Sequence, residues 1–106
     1  MNEESIRIME QAFNHEIESI KATARLMDKD KYIRAVKILV EAERVGTSGC
    51  GHSGICCMHF AHLLCCAEKP ARFISPSEAI HGAMGFLQAG DVLVLASRGG
   101  KTVELI

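Results

Sequence analysis

The chain has 106 residues, a formal net charge of −1 and only 5% aromatic residues. A domain of this size buries about two-thirds of its unfolded surface, and near-neutral charge with few stacking rings excludes a nucleic-acid surface, which needs a basic stripe. No apolar run reaches the ~18 residues of a membrane span, and the acidic start Met1-Asn2-Glu3-Glu4 is the reverse of a secretory signal. The five cysteines are odd in number, and Cys56-Cys57 and Cys65-Cys66 are adjacent pairs unsuited to a disulfide framework. A reduced, cytoplasmic protein is expected.

Ile6, Met9, Phe13, Ile17, Ile20, Ala24 and Met27 recur at three- and four-residue steps. They predict one long amphipathic helix, capped by Asn2, with Glu3 and Glu4 in its first turn. Asp28-Lys29-Asp30 breaks it, and residues 1–31 are expected to form an N-terminal segment that contacts a second copy. A second helix follows, with Tyr32, Ile33, Val36, Leu39 and Val40 on its buried side. Arg44–Ser48 takes the place of a first strand by position alone, since its composition is poor for a buried strand.

Gly49-Cys50-Gly51-His52-Ser53-Gly54 is a glycine-rich turn, and Ser53 is expected to cap a helix running to about Ala67. Ala71–Ile74 is the second strand. Ser75-Pro76-Ser77-Glu78 predicts a capping box: Ser75 as N-cap, Pro76 at the first helical position and Glu78 closing it. The third strand is Val92–Ala96, apolar throughout and read as buried on both faces. It runs through Ser97-Arg98-Gly99-Gly100-Lys101 into Thr102-Val103-Glu104, expected to open a helix. Strands alternating with helices predict a parallel sheet with helices on both faces. If the spatial order is second, first, third, the turns 49–54 and 97–102 are neighbours at the carboxyl edge, where open sheets bind ligands. With Ser97, Arg98, Lys101 and Thr102 beside a helix N-terminus, a phosphorylated small molecule is the natural guest.

Several motifs carry competing readings. Gly49-x-Gly51-x-x-Gly54 matches the dinucleotide fingerprint, yet the acid expected at the end of the next strand is replaced by Ile74-Ser75-Pro76. Gly100-Lys101-Thr102 lacks the glycine five residues earlier that a triphosphate loop needs. Cys56, His59, His62 and Cys65 have metal-ligand composition, but three-residue steps turn 300° each and place Cys56 and Cys65 on opposite sides of a helix. Met58, Met84 and Phe86 are read as core. No cofactor and no metal are expected.

The segments GCGHSG and FISPSEAIHGAMGFLQAGDVLVLASRGGKTVELI resemble the sugar-isomerase (SIS) domain of phosphosugar isomerases. Within that family the chain is similar to the arabinose 5-phosphate isomerase group, with its G-x-G-x-S loop, P-x-E-A-x-H-G segment and serine-rich loop ending in glutamate. The resemblance covers roughly Tyr32 to the end. It implies a three-layer α/β/α flavodoxin-like domain with five parallel strands, of which residues 32–106 would hold three. It further implies that Ser53, Ser97 and Thr102 hold the substrate phosphate, that Glu104 is the enolising base, and that His81 is the histidine of its segment. His52, Arg98 and Gly99 occupy substrate-site positions but depart from the pattern: the group has lysine at His52, serine at Gly99 and a small polar residue at Arg98. His59-Phe60-Ala61 is similar to a zinc-ligand segment of heptose 7-phosphate isomerases, but Leu63 stands where the carboxylate would be. The family's remaining acid and histidine fall beyond Ile106, so this chain alone is expected to be incomplete and to turn over poorly.

The expected function is a phosphosugar aldose–ketose isomerase acting through an enediol, as a homodimer or homotetramer. The alternatives are a non-catalytic sugar-phosphate-sensing module and a dinucleotide-binding module.

Overall fold

A computed structural model describes residues Met1–Ile106. It divides into two compact units, Met1–Arg34 and Ala35–Ile106, the division falling inside the second helix.

Helix α1 spans Glu3–Leu26. Its start is set by Asn2, whose Oδ1 accepts the Ser5 N–H at 2.8 Å, with Glu3 and Glu4 against the positive end of the helix. None of its residues is buried, and Phe13 in the middle of the apolar stripe is 70% exposed. Helix α2 spans Lys29–Glu41. The Asp28-Lys29-Asp30 break is itself a cap, because the Asp28 carboxylate accepts the Lys31 N–H at 3.1 Å. Tyr32, Ile33, Val36 and Val40, expected to be buried, are exposed. Periodicity identifies which face of a helix is apolar, not what covers it.

The second unit continues with β1 (Val45–Gly49), α3 (Gly51–Cys66), β2 (Ala71–Phe73), α4 (Pro76–Ala79) and β3 (Val92–Ala96). A 3₁₀ turn at Ala83–Phe86 precedes β3, and another at Val103–Leu105 follows it. The sheet is parallel in the order β2-β1-β3. The register pairs Val45 with both Ala71 and Val92, so alternate residues of all three strands share a face. On one face Val45 and Thr47 meet α3, where Cys57 and Ala61 are buried. On the other, Gly46 leaves room for the side chains of Leu87, Ile74 and Leu93. This three-layer α/β arrangement has helix α3 behind the sheet and the short α4 segment before it.

Strands β1 and β3 contradict the expectation from composition. β1, reading VGTSG, is buried at every position, whereas β3, reading VLVLA, is nowhere fully buried and Leu95 is 50% exposed. The cause is position: β1 is central and β3 lies at the sheet's edge. The polar groups of β1 are satisfied. Thr47 Oγ1 donates to the Cys57 carbonyl at 2.8 Å and Ser48 Oγ to the Ile74 carbonyl at 2.6 Å.

At the amino end of the sheet, Arg44 clamps β1 to the start of β3. Its guanidinium takes both oxygens of Asp91, at 2.8 and 3.3 Å, and donates to the Phe86 carbonyl at 3.0 Å. It also lies 4.8 Å from the Phe86 ring centroid, with Arg72 approaching the same ring at 5.7 Å. Phe86 is thus part of a cation–π stack rather than simple core filler. The Arg44 hydrogen bonds, and then the Gln88 N–H, hold the Asp91 carboxyl below the usual carboxylate range.

Candidate functional site

The strand order places the loops after β1, β2 and β3 at one edge of the sheet. The first is shaped by close approach. Gly51 has φ +58°, and a Cβ on Gly54 would lie 2.5 Å from the Gly49 carbonyl oxygen. The glycine spacing is therefore needed to press the first turn of α3 onto the end of β1. Ser53 does not cap that helix. The N-cap position is Cys50, without a side-chain hydrogen bond, and Ser53 sits half-buried inside the first turn.

The β2 loop departs from its expected form in the same way. Ser75 occupies the N-cap of α4 and Pro76 its first position, but no side-chain cap is made. The Ser75 hydroxyl instead pairs with the Ser77 hydroxyl at 2.9 Å. Helix α4 is a single turn, and Glu78 is exposed rather than folded back on Ser75.

In the third loop Ser97 and Thr102 hydroxyls are hydrogen-bonded at 2.9 Å, and Ser97 Oγ also accepts the Gly100 N–H at 3.0 Å. Gly100 has φ +68°, a left-handed conformation that glycine adopts without strain. The helix expected beyond this loop is only a 3₁₀ turn, closed by Leu105 N–H to Thr102 and Ile106 N–H to Val103. A macrodipole is the sum of many aligned peptides, so a three-residue turn supplies none worth counting. The anion-attracting features here are the hydroxyls together with Arg98 and Lys101, neither of which forms an ion pair within the chain.

A cavity of about 350 Å³ lies between the first and second loops, lined by Gly49, Cys50, Gly51, Gly54, Ser75, Ser77 and Glu104, with Met58 and Phe73 as apolar walls. Glu104 also borders an adjoining apolar pocket of about 200 Å³ that includes Leu93, Leu95, Ile80 and Met84. Ser97, Gly100 and Thr102 line a third depression beside Leu105. The structure thus brings Glu104 to the glycines of the first loop and joins Ser97 to Thr102. His52, Ser53, His81, Arg98 and Gly99 do not line the Glu104 cavity. His52 and His81 are exposed, the latter in the turn that follows α4, with its N–H on the Glu78 carbonyl. Met58 and Met84, read as core, are half-exposed cavity walls.

Cys50, Ser75 and Ser77 line the cavity without having been singled out from the sequence as site residues. Their only advance signal was position, at the carboxyl ends of parallel strands. All five cysteines are free, and Cys57 is buried with its thiol directed at the Ser48 carbonyl, 3.4 Å away. Burial, and next the neighbouring Cys56, pushes that thiol's pKa up. No three His, Cys, Asp or Glu side chains converge as a metal would require, and no helix is long and apolar enough to cross a membrane.

No protein-family model matches the chain. It is 34% identical over 89 residues to the arabinose 5-phosphate isomerase GutQ of Escherichia coli K12, covering 81% of this chain and 28% of that protein. It is 33% identical over 78 residues to the arabinose 5-phosphate isomerase KdsD of Pseudomonas aeruginosa, covering 73% of this chain and 24% of the relative. Among solved structures, a Listeria monocytogenes protein assigned as a sugar-phosphate isomerase superposes with a TM-score of 0.91 at 33% identity, covering 99% of this chain and 56% of that one. An E. coli CFT073 protein solved in complex with a sugar-phosphate ligand superposes at 0.85 with 26% identity, again over 99% and 56%. The chain therefore spans 28% of the length of its GutQ relative and just over half of these structures.

Proposed function

We propose, for a chain similar to arabinose 5-phosphate isomerases and to a sugar-phosphate isomerase structure, that it is part of a sugar-isomerase (SIS) family phosphosugar isomerase and contributes the phosphate grip and the enolising base of an aldose–ketose isomerase. The observation that carries the reading is the place of Glu104. It is the acidic side chain in a cavity otherwise formed by loop glycines, serines and apolar walls, and it follows the Ser97–Thr102 hydroxyl pair by two residues.

In this reading Ser97, Thr102 and the Gly99 backbone hold the phosphoryl group, with Arg98 supplying charge and Ser53, His52 and His81 at the margins of the ligand. The Glu104 carboxylate removes the proton from C2 of the open-chain aldose. The C–H electron pair becomes the C1=C2 double bond and the aldehyde oxygen takes a proton, giving the enediol. Protonation at C1, with loss of the proton on O2, yields the ketose. The exposed stripe Ile6, Met9, Phe13, Ile17 and Ile20 on α1 is where a second copy of the chain would attach, as a dimer or tetramer.

The test is conversion of arabinose 5-phosphate by the full-length gene product, compared with Glu104→Gln. Loss of a positioned base is expected to lower kcat by about 10²–10⁴-fold and to abolish solvent-deuterium incorporation at C1 of the ketose product. Undiminished turnover removes Glu104 as the base. Binding without conversion by the unaltered protein would instead select the sensing module.

A further inference from the structure

Resting on the phosphosugar reading, we infer that the Ser75–Ser77 hydroxyl pair on the β2 loop determines specificity in the same cavity, selecting ligands by their hydroxyl-bearing carbon chain. Four observations carry this. Ser75 stands at an N-cap but makes no capping bond, so its oxygen is not committed to the helix. Its partner is the Ser77 hydroxyl at 2.9 Å. Both residues line the cavity that contains Glu104. The remaining walls contributed by side chains include Met58 and Phe73, which can form no strong hydrogen bond.

A pair of bonded hydroxyls has a definite capacity. One of the two hydrogens is used between them, which leaves one donor and several lone pairs directed elsewhere. A sugar hydroxyl both donates and accepts, so it can satisfy the pair in both senses. Phosphate oxygens are chiefly acceptors and can use only the free donor. The Ser97–Thr102 pair has the same count, but Arg98 and Lys101 stand in its loop, whereas no lysine or arginine lines the cavity of Ser75 and Ser77. The uncharged pair therefore suits the polyol part of a ligand and the cationic loop its anionic end.

Calorimetric titration of the full-length protein with arabinose 5-phosphate, and separately with inorganic phosphate, tests this. In the double variant Ser75→Ala/Ser77→Ala, affinity for arabinose 5-phosphate should fall about tenfold, the value of one or two hydrogen bonds, with phosphate affinity unchanged. Ser77→Ala alone, at an exposed position, should lose about threefold and keeps the test usable if the double change loosens α4. An unchanged sugar-phosphate affinity, or an equal loss for both probes, overturns the inference and leaves the phosphosugar reading standing. Failure of the unaltered protein to bind either probe overturns both.

Discussion

Strands β1 and β3 are hydrogen-bonded neighbours of five residues each, in register from Val45 opposite Val92 to Gly49 opposite Ala96. β1 has one large apolar side chain and is buried throughout; β3 has four and lies half in solvent. The difference teaches what a central strand requires where a cavity opens at its carboxyl end. Covered on both faces, it needs side chains small enough to admit those layers, and hydroxyls that find acceptors inside. Thr47 and Ser48 do so, and no buried side-chain nitrogen or oxygen in the structure is left without a partner. The gain is local: with glycines at 49 and 54, α3 starts directly against the strand end and opens the cavity there. β3 has a strand neighbour on one side in this structure and is correspondingly more exposed.

The strongest way to break this contrast is Gly54→Ala. The added methyl meets the Gly49 carbonyl at 2.5 Å, and that atom is backbone, so relief requires moving α3 off β1. A loss of about 1–3 kcal/mol is expected from such overpacking, read as a lower urea midpoint at unchanged slope. Ligand affinity should fall with it, since the same glycine lines the cavity.

Thr47→Val in β1 keeps the shape and removes the donor to the Cys57 carbonyl, at an expected cost of about 1–2 kcal/mol. Leu95→Ala in β3 deletes a far larger apolar group, yet half of it is already in water, so about 1 kcal/mol is expected rather than the several of a core leucine. Urea unfolding of the two variants sharpens the comparison directly. A leucine deletion costing ~3 kcal/mol or more would mean that β3 is enclosed as β1 is, and the contrast would fail.

The smallest effect concerns how the two strands are joined at their far end. Asp91 is held below the usual carboxylate range by Arg44, so the folded state favours its ionised form. The resulting stability is complete above the ordinary carboxylate pKa of roughly 4 and fades as pH drops through the lower folded value. Asp91→Asn should flatten that acid limb in melting profiles taken between pH 7 and 3. An unchanged limb would show that the clamp adds nothing to the β1–β3 pairing.

Local chemistry was legible in the residues alone. The alternation of strands and helices required a parallel sheet, Asn2 and Pro76 marked helix starts, and two glycine-bearing turns pointed to the carboxyl edge. Each of those is decided within a few residues by dihedral freedom, caps and periodicity. What the chain could not disclose were matters settled by elements distant in sequence. Burial of VGTSG depends on two flanking strands and a helix, and Arg44 meets Asp91 across 47 residues. Even Glu104, placed by resemblance, has a cavity to face only because β2 and β3 pack on either side of β1. Composition states what a segment can tolerate, and its neighbours in space decide how much water it keeps.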